Sequence, residues 1–414
     1  MRGRLLAVAA LAAACTGGRV TDTPPAPALA LVGGRVQAAP DTAAIDDGVV
    51  VIEGGTIRAV GRRGEVAVPA GAVTLDCAGA TVSAGFWNSH VHFTQPVWND
   101  AAGAPAERLA GGLRAMLTSR GFVRVVDTGS YPPNTSVLRR RIESGEIAGP
   151  AILTAGGGLA PAGASPFYIR PAKLPELSTR DDAERMVGLM IGLGADAVKL
   201  FTGSYAERGT IVVMPVAIVR AAVDEAHRRG RIVLAHPSNS AGARAALEGG
   251  VDVLAHTFPS EQDGPWDRAL PAQMRERGMG MIPTLKLWPY EQRKFGVPPE
   301  RQMMLANGQA QLRAFTEAGG QVLFGTDVGY MTDYDTADEY AYMQQAGLTY
   351  AQILAALTTA PAARFGMGSR TGRLAPGLDA DVTVVDGDPA RDVRALAQVR
   401  YTLRGGRLIF DRTR

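Results

Sequence analysis

His90 and His92 stand one residue apart in Gly85-Phe-Trp-Asn-Ser-His90-Val-His92-Phe93, a short apolar run. On a β-strand alternate side chains share a face, so both imidazoles point the same way and can grip one metal ion. Apolar runs further along the chain end in residues of matching chemistry: Lys199, His236, His256 and, after Val322-Leu-Phe-Gly-Thr, Asp327. The chain has five histidines, and four of them fall at such ends. The fifth, His227 in Asp224-Glu-Ala-His-Arg-Arg-Gly, lies on a helical stretch and reads as structural or solvent-facing. A single histidine at a strand end is usually a packing group, but six compatible groups at strand ends point to a metal centre. Imidazoles and a carboxylate suit Zn²⁺, the expected ion, and also Mn²⁺, Co²⁺ or Fe²⁺.

Such residues need a scaffold that turns many strand ends toward one mouth. Between about Ser83 and Arg370, strand-like apolar runs alternate with helical stretches, the pattern of parallel β/α units. Eight runs qualify: 81–93, 122–128, 151–155, 197–201, 232–236, 251–256, 281–285 and 322–326. Helices are expected between them, for example over Asp181-Asp-Ala-Glu-Arg-Met-Val-Gly-Leu-Met-Ile with Thr179 or Arg180 near its start, and over 215–229. The sequence therefore predicts an α/β fold, a (β/α)₈ TIM barrel spanning 83–370, with its reactive groups at the C-terminal strand ends. An open doubly wound sheet is the alternative, but no Gly-x-Gly-x-x-Gly opens a helix after the first strand.

The flanks follow another idiom. Residues 31–82 and 371–414 hold short β-type runs with Gly-rich turns, including the hairpin signal Glu53-Gly-Gly-Thr56. Neither end alone can bury a core, so both are expected to pair into one small β-sandwich with the barrel inserted between them.

With 414 residues, 46% hydrophobic and 6% aromatic, the composition is that of an ordinary enzyme. A net charge of +3, dispersed along the chain, argues against nucleic acid as a partner. Residues 1–30 read as an export signal and tether: a basic start, a short apolar middle, then Cys15. Cys15 is a candidate lipid-attachment residue, although Leu11 lies one position further away than a lipoprotein signal usually has it. The expected location is the bacterial periplasm or outer membrane, through a lipid anchor, with plain secretion as the alternative. Cys77 is then the one remaining cysteine and reads as a buried small hydrophobe.

Taken together, Asn88-Ser-His90-Val-His92-Phe, Ala197-Val-Lys199-Leu-Phe, His236, His256 and Phe324-Gly-Thr-Asp327-Val-Gly resemble the metal-dependent amidohydrolase superfamily, most narrowly its imidazolonepropionase-related branch. The segment Arg373-Leu-Ala-Pro-Gly-Leu-Asp-Ala-Asp-Val resembles that family's return from barrel to sandwich. The resemblance implies two divalent metal ions. His90, His92 and Asp327 would hold the buried one, and His236 and His256 the more exposed one. Lys199 would bridge them as a carbamate formed with carbon dioxide. Asp327 would take a proton from the attacking hydroxide and pass it to the leaving amine. Imidazolonepropionases themselves lack the bridging lysine, so Lys199 argues against that activity. The chain also lacks a Gly-x-Ser-x-Gly elbow, consistent with a nucleophile drawn from water.

Substrate selection is expected in loops after the strands. Tyr205 is a candidate donor to a developing oxyanion, Tyr168 after the third strand is a further candidate, and Arg170 or Lys286 could hold a substrate carboxylate; Trp288 and Tyr290 follow Lys286. The expected reaction is cleavage of an amide-type C–N bond in a small molecule such as a dipeptide, an N-acyl amino acid or a cyclic amide. The alternatives are a mononuclear hydrolase or deaminase with unmodified Lys199, and a non-catalytic envelope lipoprotein that keeps the barrel as a binding scaffold.

Overall fold

A computed structural model describes residues 27–259, 269–298 and 303–413. The leader and Cys15 lie outside the described residues. No helix among the described residues is long and apolar enough to cross a membrane.

Among the described residues five strands come first: β1 (Leu29–Gln37), β2 (Ile45–Glu53), β3 (Thr56–Arg62), β4 (Val73–Asp76) and β5 (Ala80–Ala84). Eleven follow in the middle: β6 (Phe86–Val91), β7 (Phe122–Asp127), β8 (Ala151–Thr154), β9 (Ala160–Pro161), β10 (Glu176–Leu177), β11 (Ala197–Phe201), β12 (Gly203–Glu207), β13 (Thr210–Val213), β14 (Ile232–His236), β15 (Val253–Ala255) and β16 (Gly280–Ile282). Three close it: β17 (Val382–Asp386), β18 (Val399–Arg404) and β19 (Arg407–Asp411).

The two ends form one sheet in the order β19-β18-β17-β5-β1-β2-β3, with β4 beside β1. Its seam joins residues three hundred positions apart, Val82 opposite Val384 in the antiparallel β5–β17 pair. β-Branched residues suit this pleated, half-buried surface: Val50, Ile52, Val82 and Val384 share a core with Leu31, Leu403 and Cys77. Cys77 is fully buried, and burial pushes its thiol up to about 12. Glu53 and Thr56 close the predicted hairpin.

The middle of the chain is a closed parallel barrel. β6-β7-β8 and β11-β14-β15-β16 are its two continuous ladders. Backbone bonds join them: Asp196 N to Thr154 O (2.7 Å), Leu323 N to Met281 O (2.9 Å) and Ser89 N to Phe324 O (2.7 Å). Ala155, Ala197, Leu234, Val253, Ala255, Ile282 and Leu323 form a separate buried cluster drawn from successive strands. Ala197 and Leu234 share strand faces with Lys199 and His236, so this cluster lies below the groups that reach the mouth. The predicted helix after Thr179 spans Arg180–Gly192, with the Thr179 hydroxyl accepting from Asp182 N at 3.1 Å. The second spans Val216–Arg228.

Two expectations change in detail. The run 81–93 is two strands, because the chain passes from the end sheet to the barrel at Gly85, where a Cβ would lie 2.4 Å from Val123 Cγ2. Apolar residues continue through that bend, so periodicity does not reveal it. The run 322–326 closes the barrel through single bridges, Met281 to Val322 and Val91 to Val328, rather than a full ladder. Arg124 of β7 ties the two parts together, its guanidinium 2.8 Å from Asp381 and 3.0 Å from Asp379 in the return segment.

Candidate metal centre

β6 is buried along its length and delivers His90 and His92 to the mouth. Asn88 fixes this strand end against the eighth: its Oδ1 accepts from His90 N and Thr326 N (both 3.2 Å), and its Nδ2 donates to Thr326 Oγ1 (2.7 Å). Asp327 N donates to His90 O at 2.9 Å, and Asp327 adopts a left-handed backbone (φ 62°) that aspartate tolerates better than most residues. Asp327 Oδ1 consequently lies 2.9 Å from His92 Nε2 and 3.4 Å from His90 Nε2. One ligand atom from each of the three falls within 4.8 Å of the other two.

The donor chemistry of this trio fits a cation. A carbonyl only accepts, so His92 Nδ1, 2.7 Å from Gly129 O, carries a proton, and Nε2 is the nitrogen that faces Asp327. Gly129 is held in turn by Asp127, which accepts from Gly129 N, Ser130 Oγ and Thr154 Oγ1. Both ring nitrogens of His90 are buried without a hydrogen-bond partner. Such groups are costly unless something satisfies them, and a metal ion would satisfy one of the two. Burial holds His90 well below its ordinary value, with Lys199 adding to the effect. For His92 burial acts in the same direction, but the contact with Asp327 outweighs it and raises the group.

Lys199, His236 and His256 gather beside the trio. Their strands pair in register, with Phe201 opposite His236. The rings touch in series: His90 to His256 at 4.4 Å between centroids, then His256 to His236 at 4.7 Å. His236 stacks on Phe201 at 4.9 Å, and His256 Nδ1 lies 2.7 Å from Thr284 Oγ1. Burial lowers the Lys199 ammonium to about 8, against an opposing pull from Asp327 and Asp127. A neutral amine is therefore accessible near neutral pH. Burial also depresses His236 and His256, helped by Lys199 and by the neighbouring histidines. His227 stands apart, exposed on its helix with Nε2 2.8 Å from Asp252.

The four candidate substrate residues divide. Tyr168 is half-buried at the mouth, its ring 5.8 Å from that of Tyr330, and desolvation together with Asp327, Glu291 and Tyr205 pushes its hydroxyl up, keeping it protonated. Tyr205 lies on the β12–β13 hairpin. Arg170 is exposed and donates to Glu207 and to Ala206 O, so it braces that hairpin. Lys286 is buried with Nζ 2.9 Å from Asp333 and bonded to Asp335 O. Both cations are thus already matched, which counts against their expected role as carboxylate holders. Tyr330 and Glu291, absent from the expected residues, meet hydroxyl to carboxylate at 2.6 Å, with Lys294 donating to Tyr330 at 2.9 Å. Tyr330 lies only three residues after Asp327, a proximity that could have marked it.

The sequence profile described as the amidohydrolase family matches residues 81–409. Ochratoxinase of Aspergillus niger is 25% identical over 369 residues, covering 78% of this chain and 74% of that protein. A solved prolidase complexed with N-methylphosphonate-L-proline is 27% identical, with a TM-score of 0.75 over 92% of this chain and 99% of that one. A Xaa-Pro dipeptidase with methionine bound in its active site shares the fold, with a TM-score of 0.79 at 22% identity over 92% and 99% of the two chains.

Proposed function

We propose a function from one premise: the chain belongs to the amidohydrolase family and is a hydrolase acting on carbon–nitrogen bonds. Within that class we infer a binuclear centre that cleaves an amide bond of a dipeptide or N-acyl amino acid, or a cyclic amide. His90, His92 and Asp327 would hold one ion and His236 and His256 the other. Lys199 would join this donor set as a carbamate: its neutral nitrogen would bond to the carbon of carbon dioxide and lose one proton to water, leaving a carboxylate where the neutral amine stood.

Two divalent ions, when bound, supply a nucleophile from water at neutral pH and polarise the scissile carbonyl. The rest of the reaction belongs to side chains. Asp327 accepts the proton of the attacking water on a carboxylate oxygen and returns it to the departing amine, so that no charged amide nitrogen is expelled. Tyr168, kept protonated by its surroundings, can donate to the oxygen that gains negative charge. The observation that carries this reading is the convergence of one unpartnered His90 nitrogen, one His92 nitrogen and one Asp327 carboxylate oxygen on one buried point at the barrel mouth. The prolidase relative supports a peptide-like substrate.

A mononuclear centre with unmodified Lys199 has one observation in its favour: among the described residues only His90, His92 and Asp327 form a compact three-ligand group. An assay of dipeptides, N-acyl amino acids and lactams, run with metal and with chelator, tests the reading. Chelator-sensitive hydrolysis of at least one member is expected, and no turnover by metal-replete protein would overturn it. We further propose export, with Cys15 as the lipid-attachment residue. Incorporation of labelled palmitate, abolished in Cys15→Ser, tests the anchor, and unlabelled wild-type protein would refute it.

A further inference from the structure

Glu339 carries a carboxylate with no exposed surface, set in the helix Ala337–Gln345. Its two oxygens reach across to the seventh strand end, Oε1 accepting from Leu285 N at 2.9 Å and Oε2 from Lys286 N at 2.7 Å. Those amides open the helix Leu287–Lys294, whose N-terminus favours an anion. Immediately before them stands Thr284, a β-branched residue in a left-handed backbone (φ 43°) that its side chain disfavours. Such a conformation persists only where the surroundings enforce it, and the two bonds to Glu339 hold the next two residues. The Thr284 hydroxyl is the partner of His256 Nδ1, and Trp288 of the same helix start lies 6.3 Å from the His256 ring and bonds to Thr257 Oγ1 at 2.7 Å.

We infer that Glu339 is a positioning residue for the His236–His256 half of the centre, acting through the Thr284 turn to aim His256 Nε2 into the site. The inference rests on the binuclear reading above. Glutamine at this position keeps the size but turns a donor toward one of the two amide donors, so one of the paired bonds is lost and the turn loosens.

Titration of metal-free, full-length protein with Zn²⁺, followed by calorimetry, tests it. Glu339→Gln is expected to weaken one of two equivalents about tenfold and leave the other within about twofold, the usual scale for a group supporting a metal ligand. Thr284→Val, which removes the hydroxyl, should weaken the same equivalent, whereas Thr284→Ser should retain wild-type affinity. The double variant Glu339→Gln/Thr284→Val should bind no more weakly than the worse single variant, because both act on one turn. A purely structural Glu339 would lower the melting temperature while weakening both equivalents alike, or would add to Thr284→Val, and either result overturns the inference. Should Glu339→Gln fail to fold, the Thr284 pair decides: equal affinity in the valine and serine variants overturns it. Two wild-type equivalents with an unchanged Glu339→Gln refute this inference alone, while fewer than two in wild type refute the binuclear reading and the inference with it.

Discussion

His92 and His256 each leave one ring nitrogen to the site and anchor the other, but on different supports. His92 Nδ1 rests on a backbone carbonyl, Gly129 O, inside a turn that Asp127 ties down with three accepted hydrogen bonds. His256 Nδ1 rests on a side-chain hydroxyl, Thr284 Oγ1, in a strained turn held from another helix by Glu339. The first half of the site also has Asn88 binding two strand ends together, and its three ligand atoms stand close to one another. The second half is a set of ring contacts on Phe201 and Trp288. A half locked by backbone should bind its ion firmly; a half aimed by side chains should bind more weakly and be easier to disturb by substitution.

The largest expected effect comes from the proton carrier of the firm half. Asp327→Asn should reduce kcat by about 10²- to 10⁴-fold, the range for loss of a general acid–base group, and steady-state rates on any substrate found in the panel check it. Breaking the tie in the firm half comes next. Asn88→Ala strands the amides of His90 and Thr326, and the tighter metal equivalent should weaken about 10- to 100-fold in a chelator competition assay.

A subtler difference follows from the buried carboxylate behind the second half. Burial raises Glu339 from 4.5 to about 7, against the pull of the Leu285 and Lys286 amides and the Lys286 ammonium. An acid raised in this way binds more protons folded than unfolded between those limits, so its contribution to stability falls as pH rises from about 4.5 to 7. Denaturant unfolding at pH 5 and pH 8 should therefore show Glu339→Gln gaining on wild type at the higher pH. Smallest of all, Arg170→Ala removes an exposed pair outside both halves and should change kcat/KM by less than about threefold, since exposed ion pairs contribute little. A much larger loss would return Arg170 to the substrate.

The sequence disclosed the six candidate metal residues because histidines are scarce in it and because barrel strands present their C-terminal ends at one mouth. The same rule made the barrel itself legible, and the repeated Gly-turn idiom exposed the pairing of the two ends. What it hid were relations between distant residues. Asn88 meets Thr326 across 238 positions, and Glu339 serves amides more than fifty residues upstream, with no local pattern to announce either. The bend at Gly85 is masked by apolar residues on both sides, because β5 and β6 are each buried throughout. Arg170 and Lys286 looked available because sequence shows a charge but not its partner.

The contrast between a firm and an adjustable half is tested most directly by metal content. Wild type, His236→Ala and His90→Ala would be dialysed side by side and analysed by atomic emission. The account predicts about two equivalents in wild type and about one in His236→Ala, the ion of the firm half surviving alone, while His90→Ala loses that ion. One equivalent in wild type, or a His236→Ala protein with its metal content unchanged, would contradict it.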